Sequence, residues 1–245
     1  MNRVRILAFV VAALALGGPA FGGPPYVTDD PQTTDYRHFE IYLFDAGTTT
    51  RTGTSSATGI DFNYGAGPNL QLTAVAPLAF ETAPGGGTTA GLGNIELAAK
   101  YRFLRQEDVG WDVAFFPRVF LPAGSPAFGE RHASLLLPLW IGKSWESWST
   151  FGGGGCVIDR GGDSRNFCLM GWAITKQLTP DLQIGAELYH QTADTIGGRA
   201  STGIGAGAIY DLSDHYHLMA SVGPGIQNAG DTNRYSWYTA LLFTF

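Results

Sequence analysis

From position 94 to 103 the chain alternates, with Ile95, Leu97, Ala99, Tyr101 and Phe103 in one set of positions and Asn94, Glu96, Ala98, Lys100 and Arg102 in the other. All the charge falls in one set. A period of two fits a strand with one apolar and one polar face, whereas a helix would spread these charges around its circumference. Segments 38–47, 60–65, 69–80, 111–121, 133–143, 148–159, 165–177, 182–191, 201–211, 215–225 and 235–245 read the same way, so the pattern predicts about twelve strands in all. The links between them alternate in length. Long polar or glycine-rich ones fall at 48–57, 81–93, 122–132, 192–200 and 226–234, and short ones at 66–68, 106–110, 145–147, 178–181 and 212–214. Short periplasmic turns alternating with longer extracellular loops are what an antiparallel up-and-down transmembrane barrel requires, and an even strand count puts both ends of the barrel on the periplasmic side.

Lipid offers backbone groups no hydrogen-bond partner, so a sheet crosses a bilayer only if it closes on itself. The last segment carries the clearest sign of such a wall. Tyr235, Trp237, Thr239, Leu241, Phe243 and Phe245 share one face, with aromatics at both ends, the arrangement of an aromatic girdle. Trp111, Trp145, Trp148, Tyr189, Tyr210 and Tyr216 stand near predicted strand ends, where rings with a polar tip suit the interface. A soluble lipocalin-like barrel would explain the alternation but neither the girdle nor the terminal aromatic. Phe245 is read as the signal by which the barrel-assembly machinery would recognise the chain.

Composition agrees. Charged residues make up 15% of the chain, against about a quarter in soluble domains, while aromatics reach 13% and glycines number 34. The chain opens with Arg3 and Arg5, an apolar run from Ile6 to Leu16, and small residues around Ala20 and Gly22. That is the form of a secretory signal peptide over residues 1–22, its apolar run being well short of the roughly twenty residues that span a bilayer as a helix. Cleavage is expected after Ala20 or Gly22, and neither site exposes a cysteine for lipid attachment. Loss of the two arginines makes the mature chain more acidic than the −6 of the full sequence, which excludes nucleic acid as a partner. No linker divides the remainder, so 38–245 is expected to form one outer-membrane domain.

The two cysteines, Cys156 and Cys168, lie either side of the turn-like run 159–163, and Gly162 is the midpoint between them. A hairpin folded about that glycine sets them opposite one another at a spacing a disulfide can bridge. The alternative is a pair of reduced, packed thiols, which an oxidising compartment disfavours.

Several local motifs are familiar together. They are Thr28-Asp29-Asp30-Pro31; Gly91-Leu92-Gly93-Asn94-Ile95-Glu96-Leu97 leading into Lys100-Tyr101-Arg102; and Phe116-Pro117-Arg118-Val119 with Leu121-Pro122-Ala123-Gly124. Gly185-Ala186-Glu187-Leu188-Tyr189-His190-Gln191 and Tyr210-Asp211-Leu212-Ser213 follow in order. Over most of the chain this resembles the transporter-like family of bacterial outer-membrane barrels named for the MetA pathway of phenol degradation. The resemblance implies an outer-membrane channel; it does not establish phenol as the solute. Gly93-Asn94 stands where the family has Gly-Asp, and the cysteine pair is not a family feature.

If alternation holds, Asp61, Asn63, Glu96, Lys100, Arg102, Asp112, Arg118 and Glu187 point into the lumen. Twelve strands about 4.8 Å apart and tilted about 40° enclose a backbone cylinder of roughly 24 Å, with a bore near 10 Å once side chains are subtracted. The inward charges would then either line a selective pore or brace the wall as ion pairs, and the mixture of signs favours bracing. Residues 23–37 are rich in Pro and Asp, with Asp29-Asp30-Pro31 a turn former; they either fold into the lumen as a plug or hang as a periplasmic tail. An outer-membrane lipid hydrolase would need a third partner for the His132-Ala133-Ser134 pair. Glu146 lies at the far end of the next strand and no Asn occupies the strand beside Ser134, so a catalytic set is not expected. His215 and His217 share a strand face but lack fixed carboxylate or thiol partners, and no metal or cofactor is expected. The reading is therefore a passive channel for small solutes, apolar and aromatic ones among them, embedded in outer-membrane lipid. A closed structural or surface-interaction barrel is the second reading and a lipid-modifying hydrolase the third. Nothing in the chain fixes its oligomeric state.

Overall fold

A computed structural model describes residues 24–125, 128, 132–159 and 164–245. The leader and the hairpin tip at 160–163, with Gly162, lie outside the described residues. The strands are β1 (Phe39–Thr49), β2 (Thr54–Gly67), β3 (Leu70–Thr82), β4 (Thr88–Leu92), β5 (Ile95–Leu104), β6 (Asp112–Phe115), β7 (Arg118–Leu121) and β8 (Ser134–Trp145). They continue as β9 (Trp148–Ile158), β10 (Phe167–Thr179), β11 (Leu182–Gln191), β12 (Ser201–Ser213), β13 (Tyr216–Gly223), β14 (Gly225–Gln227) and β15 (Tyr235–Thr244), with two single-turn helices, α1 (Gln106–Val109) and α2 (Ala229–Thr232).

Three pairs of these strands are single staves with an interruption. The breaks fall at Gly93-Asn94 between β4 and β5, Phe116-Pro117 between β6 and β7, and Pro224 between β13 and β14. Proline has no N–H to give a ladder, which accounts for two of the three. The ladder still bridges each break: Gly93 N donates to Pro77 O, Ala99 N to Pro117 O and Ile204 N to Pro224 O. With the halves joined, the sheet is a closed antiparallel barrel of twelve strands. β1 pairs with β2 on one side and β15 on the other, and Phe39 and Phe245 exchange backbone hydrogen bonds of 2.7 and 3.0 Å at the shared rim. Closure leaves no edge for lipid to strand.

The strand boundaries differ most where the sequence is polar at both parities. β2 begins at Thr54, and β1 and β2 stay in register up to Thr49 opposite Thr54, so the expected ten-residue link at 48–57 contracts to 50–53. The stretch Thr54-Ser55-Ser56-Ala57-Thr58-Gly59 carries no hydrophobic alternation, yet its backbone still gains by extending the hairpin ladder. Likewise β3 runs to Thr82 and pairs with β4 across the expected 81–93 link.

One face of the wall is apolar and uncovered. Leu72, Leu97, Trp172, Leu188 and Leu218 are each about half exposed, a large apolar surface whose partner is lipid. Trp111, Trp145, Tyr210, Tyr216, Tyr235 and Phe245 are exposed near the ends of strands, as an interfacial girdle demands. Tyr189 is the exception to the expected girdle. It has the same parity as Glu187, so its ring is turned inward and buried, where its hydroxyl meets Asn233 and Ser236. The glycine run of β9 has a steric cause at Gly152, where a Cβ would lie 2.3 Å from the Trp172 ring. Cys156 and Cys168 face each other in the β9–β10 ladder and form a disulfide.

Candidate functional site

Residues 24–37 turn back from the rim into the barrel, and a series of wall residues holds them. The two carboxylate oxygens of Glu187 accept the backbone N–H groups of Val27 and Thr28, both at 3.0 Å. Lys100 Nζ donates to Asp29 Oδ1 at 2.9 Å and to the Asp30 carbonyl at 3.0 Å. Gln32 joins Asp112, through its Nε2 at 2.9 Å, and Arg102, which donates to its Oε1. Nearer the rim Thr34 N donates to Gln71 Oε1 at 2.9 Å and Arg37 N to Gly65 O at 2.7 Å. The segment is packed as well as bonded. Thr28 and Asp30 are 1% and 2% exposed, and Tyr26 shares a small apolar cluster with Phe151 and Ala173.

Two wall glycines make room for this. A Cβ on Gly171 would sit 2.0 Å from Thr28 Oγ1, and one on Gly65 1.9 Å from the Asp35 carbonyl oxygen. Any larger residue would push the segment off the wall.

The eight candidate lining residues border two cavities inside the barrel. Asp61, Asn63, Glu96, Lys100, Arg102, Asp112 and Arg118 line one cavity and Glu187 a second. Their pairing is of two kinds. Arg118 and Glu96 form a bidentate pair within the wall, at 2.6 and 2.9 Å, and both Lys100 and Arg118 lie over the Phe116 ring. Glu187 and Lys100 instead spend their charge on the inward-folded segment. Asn63, Gln71 and Thr73 form a further buried amide and hydroxyl network. Gln71 and Thr73 escaped sequence reading because they are uncharged, although their parity on β3 was available.

The bore is thus partly filled, and of the space left open the cavity lined by seven of the eight candidate residues has a volume of about 790 Å³. Its walls differ in character. The segment supplies charge together with Glu40 of β1, Asp61 of β2 and the charged residues of β5, β6 and β7, whereas Phe44, Ile209, Met219, Tyr238 and Leu242 supply an apolar surface. All five belong to or pack on a buried cluster with Tyr42 and Ala240, inside the barrel.

Other candidate chemistry is dispersed. Ser134 is buried opposite Phe120 at the start of β8, while Glu146 follows the last residue of that 12-residue strand, so the two sit at opposite rims. His217 Nδ1 lies 2.6 Å from Asp211 Oδ1, and His215 bonds the Thr244 carbonyl and stacks on Phe245. Among the described residues no three potential ligands gather to hold a metal ion.

A closed antiparallel barrel with a lipid-compatible exterior and a partly occupied lumen, charged on one side, defines an outer-membrane β-barrel. The family model described as "Putative MetA-pathway of phenol degradation" matches residues 28–236, and the chain belongs to that family. Among solved structures it is similar to the COG4313 outer membrane channel from Pseudomonas putida F1, with 14% identity, a TM-score of 0.70, and coverage of 88% of this chain and 98% of that one. It is also similar in fold to the KdgM porin, at 10% identity and TM-score 0.57 over 83% of this chain and 99% of that one. The β domain of the Bordetella autotransporter BrkA gives 15% identity and TM-score 0.51, over 84% and 98%. No curated protein matches the chain.

Proposed function

We propose that this chain is a passive outer-membrane channel for small solutes, apolar and aromatic ones among them, whose bore is narrowed by residues 24–37. The observation that carries the reading is the residual cavity of about 790 Å³ between that segment and the far wall. Its volume falls within the range of roughly 300–1,000 Å³ of small-molecule sites. The same segment makes the lumen adjustable. It is tethered by side-chain contacts and never enters the ladder beyond the Tyr36–Gly65 bridge, so it can leave without breaking the barrel. In this account residues 1–22 direct export, Phe245 is the feature read by the barrel-assembly machinery, and the eight inward residues form the pore lining.

KdgM has been captured with disordered oligogalacturonate; a polyanion suits this lumen poorly, because its acids outnumber its bases. A closed, structural barrel is favoured by one observation, the number of contacts that hold the segment in place. Liposome swelling separates the readings. Folded protein should admit small sugars, amino acids or aromatic acids at rates that fall with solute size. Liposomes that exclude all three, at a protein density where a known porin swells them, would leave the structural reading.

A further inference from the structure

Lumens of outer-membrane barrels are usually polar, and here one wall is not. Phe44, Ile209, Met219, Tyr238 and Leu242 line the main cavity from β1, β12, β13 and β15, and the Phe44 and Tyr238 rings stack with 5° between their planes. Across the cavity stand Asp29, Gln32 and Thr34 of the inward-folded segment. The segment has its own apolar contact elsewhere, with Tyr26 against Phe151 at 6.2 Å between centroids.

The charge around this space is unbalanced in one direction. Four bases reach the cavity, and each has a carboxylate partner: Lys100 with Asp29, Arg102 with Asp112, Arg118 with Glu96, and Arg105 with Glu107. Glu40 and Asp61 line the same cavity and form no ion pair among the described residues. They meet neutral donors only in the contacts closest to hand, Tyr42 Oη to Glu40 at 3.1 Å and Asn63 Nδ2 to Asp61 at 2.8 Å. Asp61 faces Tyr42 across the β1–β2 ladder, so both carboxylates border the apolar wall.

We propose that this crevice is a binding site for a small organic cation with an apolar body, the apolar part lying on Phe44 and Tyr238 and the ammonium between Glu40 and Asp61. The inference rests on the channel reading for its purpose, since a weak site along a bore would select what passes. An apolar anion would meet two carboxylates and no unpaired base. A bare ammonium would leave the apolar wall wet, and a neutral aromatic would bring no charge to Glu40 and Asp61, whose neighbouring cations Lys100 and Arg118 are already paired with Asp29 and Glu96.

The test is calorimetric titration of the folded, full barrel with phenethylammonium, phenylacetate and ethylammonium. Phenethylammonium should bind at least about tenfold more tightly than either of the others. The double variant Glu40→Gln/Asp61→Asn should lose about tenfold for phenethylammonium, and Phe44→Ser should weaken phenethylammonium while leaving ethylammonium unchanged. Phenylacetate binding as well as phenethylammonium, or no binding of any of the three by wild-type protein, would overturn the proposal without recourse to a variant. Potassium chloride conductance, measured on the same preparation, keeps the two readings apart. Conductance without cation binding defeats the site alone, and binding without conductance defeats the channel alone.

Discussion

Glu187 carries the sharpest mechanical prediction. Its two oxygens each accept a backbone N–H, from Val27 and Thr28, at 3.0 Å, and the carboxylate is 6% exposed. A hydrogen bond to a charged acceptor contributes about 1.5–3 kcal/mol, so Glu187→Ala removes about 3 kcal/mol of docking energy at the lower bound. Each 1.4 kcal/mol is tenfold in an equilibrium, and the ratio of released to docked segment should therefore rise by roughly 100-fold. Glu187→Gln keeps the shape and one amide acceptor without the charge, and should give an intermediate rise. In planar-bilayer recordings this ordering appears as more frequent and longer high-conductance intervals, greatest for Ala, smaller for Gln and least for wild type. Loss of a lumen charge on its own would shift the reversal potential but not the frequency of transitions, so the two effects are separable. Alanine and wild-type recordings with the same transition frequency, from protein that is folded by heat-modifiable gel migration, would refute the latch.

A side chain at Gly171 should act on the same equilibrium from the wall. Gly171→Val should reproduce the longer high-conductance intervals while the barrel still folds, and unchanged recordings would show that Thr28 does not rest there. Leu188, half exposed on the outer face, should tolerate Arg poorly; about 2–4 kcal/mol of stability is the expected loss near the bilayer midplane, read by folding titration into lipid vesicles, and a neutral effect would mean that this face does not meet hydrocarbon. Replacing Cys156 by Ser should lower stability by about 3 kcal/mol on the chain-entropy model of so short a loop, measured by the same titration. A thiol assay on native wild-type protein should find neither cysteine reactive.

Much of the wall was legible because lipid on one side and water on the other enforce a strict period of two. Ile95 to Phe103 announced both faces of its strand, and the symmetry of Cys156 and Cys168 about Gly162 located a hairpin. Where both faces see water, as from Thr54 to Gly59, the same ladder left no trace in the pattern. Tyr189 was misplaced by proximity to a strand end, although its parity with Glu187 pointed inward. The inner apolar wall was hidden for the opposite reason. Ala240 and Leu242 have the parity opposite the girdle, but being apolar they carry none of the polarity by which the other inward positions were picked out. The path of residues 24–37 is a long-range property. Val27 finds its partner 160 residues away and Thr34 finds Gln71 37 residues away, and a Pro- and Asp-rich segment without periodicity carries no local mark of either. The inward glycines Gly65 and Gly171 were the available hint, since a close backbone approach is one of the few reasons to leave a strand position without a side chain.

Single-channel recording of wild-type protein beside a variant lacking residues 24–34 tests the central claim most directly. The barrel ladder does not depend on those residues, so both proteins should insert. The account predicts small, fluctuating conductance for wild type and a larger, steadier conductance for the deletion. A folded, heat-modifiable deletion variant that passes no current would contradict it, because the wall itself would then be closed.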